Sequence, residues 1–122
     1  MKNTNYIKIL DGAVQAQLDV IIYSDQEGIT YAYAPALDLT GYGTDVQEAK
    51  SSFEIVIEDY FEYGIKRNTL KPDLLAHGWK SVDETDFSFP KAWNLFRTNK
   101  QMQDIYSGSF SKLSYPVSYA AN

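Results

Sequence analysis

The chain has 122 residues and no cysteine, with 11 basic residues against 16 acidic ones and a net charge of −5. That length makes one ordinary domain that buries a core without cross-links, and the lack of cysteine excludes disulfides, thiol catalysis and cysteine-based zinc sites. The start is polar and no apolar stretch reaches the length of a membrane helix, so a cytoplasmic protein without membrane association is expected.

Tyr6 to Leu10 is a short apolar run that stops at Asp11-Gly12, a pair whose tolerance of positive φ is a strong hairpin signal. Val14, Ala16, Leu18, Val20 and Ile22 then alternate with other residues, the period of a strand with one buried face; only Ile21 breaks it. A polar turn over Ser24 to Gly28 leads to a strand over Ile29 to Ala34. Pro35 has no N–H to give a ladder and should close that strand. Leu37 to Tyr42 reads as a shorter strand of the same meander. Gly41-Tyr42-Gly43 reads as a tight strand-to-helix turn whose glycines supply positive φ. A nucleotide-binding fingerprint would need a third glycine where Val46 stands.

Thr44 is expected to cap a helix running to about Ile65, with Gln47 completing a capping box and Asp45 and Glu48 suiting the positive helix end. Val46, Ala49, Phe53, Val56, Ile57 and Tyr60 recur at helical spacing as its apolar stripe, while Glu48, Ser51, Glu58, Asp59 and Glu62 fall on the other side. Thr69 starts a second, short helix that ends before Gly78, and His77 in its last turn suits the helix dipole. Trp79 to Val82 reads as a returning strand, Glu84 to Pro90 as loop, Ala92 to Ser107 as helical, and Gly108 as a C-cap. Leu113, Tyr115, Val117 and Tyr119 alternate with Lys112, Ser114, Pro116 and Ser118 in a terminal strand that Pro116 confines to an edge. The expected fold is α+β: an antiparallel meander of three to four strands with one long amphipathic helix packed on it. Residues 1–82 would form that domain, and residues 83–122 a C-terminal extension in the same structural unit.

Charge is distributed unevenly. Residues 44–65 carry one lysine and six acids, whereas residues 66–80 carry four basic residues and one acid. Phosphate neutralisation needs clustered Lys and Arg, which this chain offers only around Lys66, Arg67, Lys71 and Lys80. Glu54, Glu58 and Glu62 stand one helical turn apart on a polar face, the ordinary pattern of a solvated helix. His77 is the only histidine, so no hydrolytic triad is available. No catalytic, cofactor-binding or metal-binding residue is assigned. Ile55 is the odd residue: at 100° per residue it lies opposite Phe53, Val56 and Tyr60, among acids. An isoleucine so placed can anchor a basic partner, and Glu48, Ile55, Glu58, Asp59 and Glu62 are the candidate partner-binding residues.

A strand over Leu18 to Tyr23, Gly28, a strand from Tyr31 to Pro35, Leu39 to Gly43, Thr44 and then Glu48-Ala49 follow one another as in a known pattern. Residues 14–66 resemble the HicB-like antitoxin family, with Pro35, Gly41, Gly43, Thr44, Glu48 and Ala49 as its structural motif. Leu74, His77-Gly78-Trp79 and Tyr115-Pro116-Val117 look like a longer bacterial variant. The resemblance implies a partial ribonuclease H-like fold without the nuclease acids. It also implies a homodimer or higher oligomer that neutralises a small basic HicA-type mRNA-cleaving toxin by occluding it, with no catalysis of its own. Residues 81–122 show neither the helix pair of a ribbon-helix-helix nor a basic recognition helix, so tight operator binding by this chain alone is not expected. The alternatives are an orphan HicB-like domain that self-assembles or binds another protein, a nucleic-acid-binding module, and, furthest from the residues, a ribonuclease H-type hydrolase.

Overall fold

The computed structural model describes residues 5–89, 105 and 108–120. Asp11 and Gly12 both take positive φ, 52° and 77°, and fold β1 (Asn5–Leu10) back on β2 (Ala13–Ser24) in the hairpin the sequence predicts. β3 (Thr30–Ala34) and β4 (Leu39–Gly43) extend the meander, with Pro35 directly after β3. There follow α1 (Val46–Lys66), α2 (Leu70–Ala76), β5 (Lys80–Ser81), β6 (Asp86–Phe89) and β7 (Phe110–Ala120).

The fold is α+β, and its antiparallel sheet has seven strands in the order β4-β3-β2-β1-β6-β5, with β7 also paired to β2. β7 pairs with residues 13–23 of β2 and so covers one of its edges. β1 pairs with residues 13–17 and β3 with residues 21–24, so these two strands share the opposite edge end to end. Asn5 bridges the gap between them. Its side chain is fully buried, and its Oδ1 accepts the Asp19 N–H at 2.7 Å, continuing the ladder where β1 stops. The sheet is larger than the meander alone because two strands from residues 83–122 join it. One of these, β6, lies where the sequence reads as loop. Its Asp-Phe-Ser-Phe alternates, burying Phe87 and Phe89, and it pairs with Asn5 to Lys8 of β1. The expected helix over Ala92 to Ser107 lies outside the described residues except Ile105, whose carbonyl accepts the Gly108 N–H at 3.1 Å.

One face of the sheet carries α1. The helix buries Ala49, Phe53, Ile57, Phe61 and Gly64 against Ile7, Val14, Leu18, Val20 and their neighbours. The stripe is rotated from the expected one: Val46 is exposed, Val56 and Tyr60 are half-buried, and Phe61 is fully buried. The cause lies beneath the helix, where Ala32 of β3 pairs with Gly41 of β4 and leaves no side-chain bulk between the sheet and α1 at that point. A Cβ on Gly41 would stand 2.2 Å from the Phe53 backbone nitrogen and 2.8 Å from the Ala49 carbonyl oxygen; one on Gly43 would stand 2.4 Å from the Glu48 Cβ. Both glycines are therefore required by close approach. Neither has positive φ, which is confined to Gly12, Gly28 and Gly78 among the described glycines. They lie within β4 and do not form the turn itself.

The start of α1 also differs from expectation by one residue. Asp45 is the N-cap, and its carboxylate accepts the Glu48 N–H at 2.8 Å. Thr44 stands just outside, and donates its N–H and its hydroxyl to Glu48 Oε1 at 2.9 and 2.7 Å. Thr44/Gln47 and Asp45/Glu48 have the same spacing, but only the second pair places a carboxylate at each end. The other face of the sheet explains Ile21. It points away from α1 and, with Tyr33 opposite it, packs against Ile105.

Candidate functional site

The exposed side of α1 is built by the same periodicity that buries Phe53 and Ile57. Ile55 is 63 % exposed, with Glu54, Glu58, Asp59 and Glu62 also exposed around it. The structure divides the candidate residues among different neighbours. Glu48 is at the helix start, and its bonds from Thr44, the backbone N–H first, hold its carboxyl below the usual range. Asp59 and Glu62 line a groove of about 760 Å³ between α1, α2 and β4, whose wall includes Leu39, Val56, Tyr60 and Tyr63. Glu58, with Glu54, is exposed on the opposite flank of α1, the flank toward β7. There the Phe53 and Tyr115 rings meet edge to face at 5.1 Å. Burial raises the Tyr115 hydroxyl above its ordinary value, and the charges of Glu54 and Glu58 add to that. Ile55 sits on the crown between the two flanks.

Sequence patterning missed part of this surface. Val56 and Tyr60 read as core but form the groove wall. Tyr60 donates its hydroxyl to Asp73 of α2, tying the helices together, and burial with that bond drives its pKa well above the ordinary value. The signal was present only as a tyrosine at the margin of an apolar stripe. Glu54 gained its place from the packing of β7, which no local pattern reveals.

The basic residues at the end of α1 and beyond it are partly engaged. Lys66 forms an ion pair with Glu62 at 3.1 Å, and the Arg67 guanidinium lies 4.9 Å over the Tyr63 ring. Lys71 and Lys80 are exposed on α2 and β5. His77 is the C-cap of α2, its Nδ1 2.9 Å from the Asp73 carbonyl oxygen. Among the described residues no three His, Cys, Asp or Glu side chains converge to hold a metal, and no helix is long and apolar enough to cross a membrane. The arrangement presents an acidic helix with an apolar centre, a groove on one flank and a strand edge on the other. Comparison of the chain with family models, curated proteins and solved structures returned no match.

Proposed function

We propose that this protein is an antitoxin-like binding protein that neutralises a small basic HicA-type mRNA-cleaving toxin in the cytoplasm by covering it, with no catalysis of its own. The observation that carries the reading is the exposed Ile55 set among Glu54, Glu58, Asp59 and Glu62 on a helix whose other face is buried against the sheet. An apolar anchor ringed by one sign of charge suits a partner of the opposite sign: the ring steers encounter, and the anchor supplies desolvation energy at the centre. The net charge of −5 and the HicB-like order of residues 14–66 support the same reading. An acidic helix would compete with RNA for the toxin's basic surface.

The test is a tagged pull-down at native expression with mass spectrometry of the retained proteins, followed by an RNA-cleavage assay. A stoichiometric small basic protein whose cleavage of RNA stops at about one equivalent of this chain is the expected result. Recovery of the bait alone, as a dimer or larger, overturns the reading in favour of a self-assembling domain.

A further inference from the structure

β2 is central to the sheet, and its backbone alternation fixes that of β7. The Asp19 N–H points to Asn5, so the odd-numbered residues of β2 direct their backbone groups toward β1 and β3, and the even-numbered ones toward β7. The register pairs even residues of β2 with odd residues of β7, for example Leu18 with Tyr115 and Val20 with Leu113. The backbone groups of Lys112, Ser114, Pro116 and Ser118 therefore point outward. Pro116 opposite Gln17 fits this phase, because its missing N–H falls on the outer side. Among the described residues no strand pairs with that outer edge, although β7 is 11 residues long. The other ends of the sheet are short or engaged: β5 has two residues, and β4 gives its Tyr42 N–H to the Ser52 hydroxyl of α1.

From Lys112 to Ser118 the described residues leave this edge without a strand partner; such an edge is a template for another strand, and its surroundings say which. On the α1 side Tyr115 of β7 meets Phe53, and helix periodicity puts the exposed Glu54 and Glu58 on the flank of α1 opposite the groove wall of Val56, Tyr60 and Tyr63, the flank toward β7. Lys112 is the only charged residue of β7 itself. We infer that the outer edge of β7 receives an extended segment of the basic partner as an added strand, with that segment's Lys or Arg side chains on the α1 side facing Glu54 and Glu58. This rests on the antitoxin-like reading and gives its interface a place. Main-chain bonds to Ser114 and Ser118 would supply affinity and the acids would select charge. A second copy of this chain fits less well, because it would bring its own acidic α1 to the same side of the joined sheet.

The probe is the stoichiometric basic protein from the pull-down, identified and purified. Hydrogen exchange should show the amides of Lys112, Ser114 and Ser118 open in the free chain and protected in the complex. Ser114→Pro removes an outward donor and the hydroxyl that accepts from Gln17, keeps the backbone bonds to β2, and should weaken binding about tenfold or more. Glu54→Lys with Glu58→Lys should do the same while keeping the ladder, which covers the case of a misfolded proline variant. Partner binding that leaves these amides open and the charge variant unaffected overturns the edge proposal and leaves the antitoxin reading standing. Amides already protected in the free chain, or a dimer dissolved by Ser114→Pro, would give the edge another occupant and also overturn it. If no basic protein is retained, both fall together.

Discussion

Gly41→Ala tests the packing on which the acidic face depends. The added methyl would lie 2.2 Å from the Phe53 nitrogen, 2.6 Å from the Phe53 Cα and 2.8 Å from the Ala49 carbonyl oxygen. Ordinary carbon contacts begin near about 3.5 Å, so α1 must rise by about 1 Å, because the obstructing atoms are backbone and no side-chain rotation relieves them. The lifted turn holds Phe53 and Ala49, both fully buried, and their contacts with the sheet loosen together. Overpacking of this kind costs about 3 kcal/mol, at the upper end of the usual range. With a urea m-value of about 1.5–2 kcal/mol/M, the unfolding midpoint should fall by about 1.5–2 M. Gly28→Ala is the control. It meets nothing within 4 Å but has φ of +86°, so it carries backbone strain alone, about 1–2 kcal/mol. The assay is urea unfolding followed by circular dichroism for both variants. A Gly41→Ala protein as stable as the parent would show that α1 does not rest on the β4 backbone.

Ile55→Arg should leave stability within about 0.5 kcal/mol, as for other exposed sites, while weakening the basic partner about tenfold or more; equal affinity by calorimetry would remove this crown from the interface. Trp79→Phe loses the indole bond to the Ala36 carbonyl, made at 2.7 Å, and should cost about 1–2 kcal/mol in thermal unfolding by leaving a buried acceptor unpaired. Tyr60 has its pKa raised by burial, then by Asp73, so its stabilising effect is present below the ordinary tyrosine value of 10.0 and declines as the pH rises above it. Tyr60→Phe should therefore flatten the alkaline loss of stability; an unchanged alkaline limb would count against a buried, hydrogen-bonded phenol.

The hairpin, the meander and the two helices were legible because their signals are local. Asp11-Gly12 bends the chain within two residues, and Pro35 stops β3 where it stands. The errors arose where two local solutions fit equally well. Thr44/Gln47 and Asp45/Glu48 offer the same capping spacing, and the choice depends on which residue also satisfies Thr44. The apolar stripe of α1 spans Val56 and Tyr60 as well as Phe53 and Phe61, and only the shape of the surface below selects one line of it. Gly41 and Gly43 were recognised as necessary, but for a turn rather than for contact, because a sequence shows that Cβ is absent and not what would occupy its place. β6 was missed because four residues carry too little alternation to separate strand from loop.

The candidate site follows the same division. Ile55 was visible as an apolar residue among acids, and Pro116 as a mark of an edge strand. What joins them is non-local: Gln17 donates to the Ser114 hydroxyl across 97 residues of sequence. That pairing sets β7 beside the flank of α1 that carries Glu54 and Glu58. The phase of the helix is set from the other side, by Ala32, Gly41 and Gly43, which bring it down on Ala49 and Phe53. Rotate α1 by one residue, about 100°, and these acids would leave the β7 border. The small residues under the helix, unremarkable in composition, thus decide which charges stand beside the open edge.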